Sequence, residues 1–505
     1  MANVTVFAVF FVLIASFVIS VLSSRKRTSN LLTDFLFSGN TPLLGLSSCI
    51  GSIISMAVSF TALLSAGYEW GWQIIFPLIS GCVTGLAAVL KLTQHPRLIA
   101  KDTVAGTSYL RGASYLAAFG SRSAMSYYAF IIAAYGAMLI TEIVVLRGFI
   151  GSLTGLPIAD LVLMIATVLI VCYAYVFIGG FRGVLITDYF QLMVVFVFVG
   201  LWFASMFSRT QFHIPSPTAT HAAFTPWTKC FLDVGLFSGA FAWMFASVDQ
   251  WYRTIGTLSL PAARQVLTSA GIALCTFSIV PIMAGAAAVG RTDIPAHVSN
   301  GVSMILIADL LTHATTTVRF VFAMALTCAA LTTLNTYLMT MQQLYYEAET
   351  RIDSEHWLHY LLVKYPLKWK QVRGFVAVLA AAAFFVSCFF PTRYVYAFGV
   401  FALSTFVLML PFVVGALAEV FGTARRRAIR SAATIVSDAL MAFGGITVVS
   451  ALIVWAILLS ASRMILGSLS GHLYVIPAAA FVAAFAAILI SLFAYSIPRK
   501  TRDVR

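Results

Sequence analysis

The chain has 505 residues, 61% of them hydrophobic and only 10% charged, which excludes a soluble globular domain, where about a quarter of residues carry charge. The net charge of +14 does not indicate nucleic acid, because the basic residues stand between apolar runs instead of forming one patch. Composition therefore makes this an all-α polytopic membrane protein with the lipid bilayer as its partner.

Runs of about 20 apolar residues are long enough to cross a bilayer as helices. The sequence holds a leading span at 4–22 and spans 1 to 12 at 43–66, 72–92, 124–146, 158–178, 184–206, 231–248, 267–289, 317–344, 374–390, 394–419, 434–460 and 473–496. Val4–Leu22 is close to span length and the basic cluster follows it, so an uncleaved helix fits better than a signal peptide. Of the 31 Lys and Arg residues, 24 fall on one set of loops. That asymmetry predicts an outside N-terminus, a cytoplasmic C-terminus and a multi-pass protein of the cell (inner) membrane.

In chain order, span 1 carries small residues from Gly45 to Ser55 where a lipid-facing helix would carry Leu and Phe. This is either a close-packing seam or a stretch able to unwind. Glu142 lies inside span 3, five residues before Arg147. An intramembrane carboxylate is costly unless used or paired, so it reads either as an ion pair near the outer surface or as part of a site. Asp188 follows the basic turn at Arg182 and heads an apolar helix, which suits a cation partner or a structural pair with Arg182. His213 and His221 sit in a Pro/Thr-rich connector as loop residues, and Val298–Leu311 is too short to span and suits a cap. In span 8, Ala329, Thr332, Thr333, Thr336 and Thr340 recur at three- and four-residue steps with Asn335 beside them. Such hydroxyls either bond back along their own helix or face an interior, where their oxygens suit a hard cation such as Na⁺. The loop Glu347–Gln371, with Trp357 and Trp369, suits a segment lying on the inner surface. Seven cysteines with no CxxC or Cys/His pattern indicate neither a disulfide frame nor a zinc site.

Several of these segments together resemble the sodium:solute symporter family. Gly179-Gly180-Phe181-Arg182-Gly183 followed by Thr187-Asp188-Tyr189-Phe190-Gln191 is similar to its helix 4–5 turn. Ala329-Ala330-Leu331-Thr332-Thr333 is similar to its helix 8 pattern, Asp249-Gln250-Trp251-Tyr252-Arg253 with Pro261–Arg264 to its Gln-Arg loop, and Gly120-Ser121-Arg122 to the start of its helix 3. The resemblance implies a single transporter domain over 1–505: an inverted repeat of five plus five helices (43–206 and 231–419), one leading helix, and two trailing helices within 434–496. It implies Na⁺ as the coupling ion, with no other cofactor, held by Ala329, Thr332, Thr333 and backbone carbonyls of span 1 near Ser52 and Ser55. A second ion site would use Asp188, Asn335 and Thr336. This chain departs from the family in carrying Thr-Thr where serines are commoner and in a glycine-poor span 1.

In such folds the solute sits among spans 1, 2, 3, 6 and 10, where Ser59, Thr61, Gln73, Tyr128, Tyr135, Glu142, Asp233, Trp243 and Tyr396 are the polar or aromatic candidates. The expected function is sodium-coupled import of a small organic solute by alternating access. A solute sensor on the same fold ranks second, since no signalling domain precedes Arg505, and a proton-coupled symporter is the further alternative. No nucleophile–base pair, metal cluster or nucleotide loop points to an enzyme.

Overall fold

Inside a bilayer each span must satisfy its own backbone groups, and helices do so without partners. The computed structural model describes residues 2–24, 32–37, 39–93, 101–104, 107–110, 121–209, 226–254, 256–287, 315–351 and 369–389. The leading span is α1 (Ala2–Ser24), followed by the short α2 (Leu32–Phe37). Span 1 is α3 (Pro42–Ile53), a π-helical segment (Met56–Ala62) and α4 (Leu63–Trp70). A 3₁₀ turn (Trp72–Ile74) leads into α5 (Ile75–Leu92), span 2. An antiparallel hairpin, β1 (Lys101–Val104) with β2 (Thr107–Leu110), pairs Lys101 with Leu110. Span 3 is α6 (Ser121–Thr154), spans 4 and 5 form α7 (Ile158–Arg209), and span 6 is α8 (Pro226–Ala246) plus α9 (Val248–Arg253). Then come α10 (Leu260–Ala287), α11 (Thr316–Arg351) and α12 (Trp369–Phe389), which are spans 7, 8 and 9.

Among the described residues six helices are long and apolar enough to cross a membrane, or seven if the bent span 1 counts as one; the chain is a multi-pass membrane protein. Spans 10 to 12 with Tyr396, the loop histidines, Val298–Leu311 and residues 352–368 lie outside the described residues.

The window Ile158–Phe198 is 41 residues long, about twice what a bilayer needs. It divides at Gly180, whose φ of 61° and ψ of −159° break the helix in a region that disfavours any side chain. Gly179 serves a different purpose: a Cβ there would lie 2.1 Å from Ser20 Oγ, so its absence lets α1 dock against the turn. The Ser20 hydroxyl donates to the Tyr175 carbonyl at 2.6 Å, and Gln191 Nε2 donates to Ser16 Oγ at 2.9 Å. The glycines of the 4–5 motif thus turn the chain and seat the leading helix.

Around α11 pack α1, α3, α6, α7 and α12, and residues 325–346 of α11 are buried all round. The threonine stripe therefore faces protein on every side. Large apolar side chains such as Phe7, Phe76 and Ile158 point outward, as a lipid-facing perimeter requires. Span 1 is also pinned to span 7 at backbone distance: a Cβ on Gly285 would stand 1.9 Å from the Leu64 carbonyl oxygen, and one on Gly67 would stand 2.1 Å from that of Ile282.

Candidate functional site

The site is organised by two interruptions. Span 1 bends by 48° between Ile53 and Met56, with Ile54 at φ −81°, ψ 65° and Ser55 extended at φ −80°, ψ 152°. A helix that restarts leaves its first N–H groups without intrahelical acceptors, and buried in a membrane each must find one. Here side chains supply them. Glu142 Oε1 accepts from Met56 N at 2.9 Å, its Oε2 accepts from Ala57 N at 3.1 Å, and Ser55 Oγ accepts from Val58 N at 2.8 Å. The expected pair between Glu142 and Arg147 is not formed; Arg147 Nη1 donates to the Ser387 carbonyl at 2.5 Å.

Span 6 is interrupted at Ser247, with φ −70° and ψ 71°, nearly the dihedral pair of Ile54. Asp249 N donates to Tyr135 Oη at 3.2 Å, and that hydroxyl donates to Asp249 Oδ1 at 2.5 Å. Tyr135 and Glu142 are seven residues apart on α6, two helical turns or about 10 Å on one face. One helix therefore holds both interruptions.

Span 8 meets the first break on its other side. Thr332 Oγ1 lies 3.1 Å from the Gly51 carbonyl oxygen and 3.0 Å from that of Ala329, and Thr333 Oγ1 lies 3.0 Å from the Ala329 oxygen. The carbonyl that faces span 8 is thus Gly51's, one residue before the expected Ser52, whose hydroxyl bonds back to the Cys49 carbonyl at 2.9 Å. Ser55 caps the restarted helix instead of facing span 8. The donor set is four uncharged oxygens from two spans, the chemistry a hard monovalent cation accepts. Both threonine hydroxyls donate to carbonyls here and are free to rotate a lone pair inward.

The residues of the second expected ion site are also together, around a cation that the chain provides. Asn335 Nδ2 donates to Asp188 Oδ1 at 2.9 Å, and the Ser48 hydroxyl bonds Asp188 Oδ2. Into this group reaches Arg253 of span 6. Its Nη2 lies 3.7 Å from Asp188 Oδ2 and donates to Thr336 Oγ1 at 2.7 Å, its Nε donates to Ser48 Oγ at 2.5 Å, and its Nη1 donates to the Asp249 carbonyl at 3.1 Å. Nη1 also lies 3.5 Å from Asp249 Oδ2. The whole group is buried, Arg253 to 1% exposure, so the carboxylate partner is Arg253 rather than the neighbouring Arg182. Ser48, Gly51 and Arg253 were not among the candidate site residues; the four-residue spacing of Asp249 and Arg253 was the one signal of their pairing.

Of the solute candidates, Tyr135 and Glu142 hold the breaks, and Ser59 and Thr61 line the first break, donating to the Ile53 and Met56 carbonyls at 3.3 and 3.1 Å. Trp243 is half-buried one turn before the second break and accepts from Ser247 N at 2.8 Å. Gln73 and Asp233 are elsewhere: Gln73 Oε1 accepts from Lys229 Nζ at 2.7 Å. Asp233 is one turn past Lys229 on α8, about 20 Å along the helix from Ser247. Tyr128 lies on α6.

No family model matches the chain, and no curated relative matches it. Solved structures do. A Na⁺-coupled sialic acid symporter in a substrate-bound outward-open state superposes with a TM-score of 0.54 at 15% identity, covering 87% of this chain and 98% of that one. MhsT in complex with L-phenylalanine gives 0.50 at 14% identity, covering 90% and 98%. A manganese transporter of Eremococcus coleocola gives 0.50 at 13%, covering 91% and 99%. The chain has the leucine-transporter-type fold that these proteins share.

Proposed function

We propose that the chain is a sodium-coupled secondary importer of a small organic solute, working by alternating access, with its N-terminus outside and its C-terminus in the cytoplasm. The observation that carries this reading is the meeting of Gly51, Ala329, Thr332 and Thr333 oxygens where broken span 1 touches span 8. A cation there ties a movable half-span to a fixed one, and it shifts the conformational equilibrium by its difference in affinity for the two states. The second site supports a stoichiometry of one ion. Arg253 already pairs with Asp188 and occupies the oxygens of Ser48 and Thr336, so the ligands a second Na⁺ would need are taken.

The test is uptake by reconstituted protein across sodium concentrations. Thr332→Ala removes the hydroxyl shared between spans and is expected to raise the half-saturating sodium concentration roughly tenfold or more, since about 1.4 kcal/mol of lost ligation is a factor of ten. Thr333→Ala, whose hydroxyl bonds only within α11, is expected to raise it less. Uptake that persists in sodium-free buffer and follows pH, unchanged by both substitutions, would transfer the coupling to protons and end the sodium reading.

A further inference from the structure

The broken span offers more than an ion site. Met56 N and Ala57 N are the leading amides of the helix that runs to Trp70, and in a low-dielectric interior such a terminus is a natural seat for an anionic group. In half-helix transporters that seat suits the solute's carboxylate. Here it is already taken, because both oxygens of Glu142 accept these amides at 2.9 and 3.1 Å and the side chain is 1% exposed. Two carboxylates cannot share the two N–H groups without direct repulsion.

We propose that Glu142 is a built-in anion that fills this seat from within, so that the solute is recognised there through a hydrogen-bond donor, an ammonium above all, and not through a carboxylate. A carboxylate offers about four lone-pair sites, and the amides use two. The remaining two are left for a donor. Among the described residues no basic side chain pairs with Glu142, in contrast to Asp188 and Asp249, which both face Arg253. A carboxyl buried in a membrane without a basic partner is costly to ionise, and a cationic solute head lowers that cost. Tyr135 and Tyr337, in edge contact at 5.5 Å between ring centroids, supply aromatic surface beside the same face of α6, which suits an alkylammonium group.

This inference rests on the transport reading but is tested without flux. Purified wild type and Glu142→Ala are melted in sodium acetate against sodium chloride at equal sodium and ionic strength. Wild type is expected to ignore acetate. E142A, its seat vacated, is expected to bind acetate saturably and gain about 2 °C at ten times the dissociation constant. Identical acetate responses of the two proteins would overturn the proposal. A second measurement needs only wild type: probes of one skeleton bearing an ammonium or a carboxylate are compared for stabilisation. Greater stabilisation by the carboxylate form overturns the proposal, whereas preference for the ammonium form that Glu142→Gln abolishes supports it. Failed uptake with the acetate response intact would sink transport alone, and lost acetate response with uptake intact would sink this inference alone.

Discussion

The two interrupted spans are nearly the same in backbone and opposite in electrostatics. Ile54 and Ser247 take almost equal dihedrals, −81°/65° and −70°/71°, and α6 reaches both from residues two turns apart. At span 1 the amides are met by the Glu142 carboxyl, which no basic side chain among the described residues pairs. At span 6 the amide of Asp249 is met by a phenol, and Arg253 four residues on stands between two carboxylates, Asp249 and Asp188. Span 6 is thus closed by a basic side chain of its own, while span 1, where no described basic side chain meets Glu142, stays open. On the transport reading proposed above, the asymmetry makes span 1 the place where solute and ion would exert their differential affinity and span 6 a fixed counterpart until its Arg253 contacts part.

The largest expected effect comes from opening the closed side. Arg253→Ala strips a buried guanidinium from two carboxylates, and removing one partner of a buried ion pair costs about 3–5 kcal/mol. A marked fall in the melting temperature of the purified protein is expected, partly restored when Asp188→Asn is added, since neighbouring charges do not add independently. Equal melting of R253A and wild type would show that span 6 is not held closed by charge.

Tyr135→Phe comes next. It removes a hydroxyl that both accepts from Asp249 N and donates to Asp249 Oδ1, leaving a buried amide without its acceptor at a cost of about 1–3 kcal/mol. Hydrogen exchange is expected to quicken at Asp249 while the sodium dependence of uptake stays as it was. A changed sodium dependence would mean that the two breaks are coupled through α6 more tightly than their separate partners suggest.

How much of this was readable from residues alone follows from what each feature depends on. The positions of the leading span and spans 1 to 9, the turn at Gly179-Gly180 and the oxygen-rich run of span 8 are legible in the sequence. The partners of the buried charges are not. The only basic partners that nearness in sequence offers are Arg182 for Asp188 and Arg147 for Glu142, yet Asp188 faces Arg253, 65 residues away, and Glu142 faces amides of span 1. The reason is physical. Glu142 has a partner only because span 1 breaks, and neither break has Pro or Gly at its turning residue: Ile54 and Ser247 are tolerated in any helix. The small-residue run Gly45–Ser55 marks span 1 as able to unwind, but its turning residue and the acceptors α6 delivers to it are set by packing, which no local pattern records. The same dependence explains why the facing carbonyl was placed at Ser52 and not Gly51: a break shifts the register that a helical count assumes.

The smallest effect sharpens the contrast most, because it compares one residue type at both places. Ser55 looks forward, its oxygen accepting Val58 N at 2.8 Å, whereas Ser247 looks back, its hydroxyl donating to the Trp243 carbonyl at 2.7 Å. Losing a serine that caps a helix start costs about 1 kcal/mol, so Ser55→Ala is expected to lower stability by that order and to expose the Val58 amide to exchange. Ser247→Ala is expected to cost less, since the Trp243 oxygen still accepts Ser247 N at 2.8 Å and no polar group is orphaned. If the two substitutions proved equal in stability and in exchange at the following amides, the restart of span 1 would not depend on side-chain acceptors, and the distinction between an open and a closed break would have to rest on Glu142 and Arg253 alone.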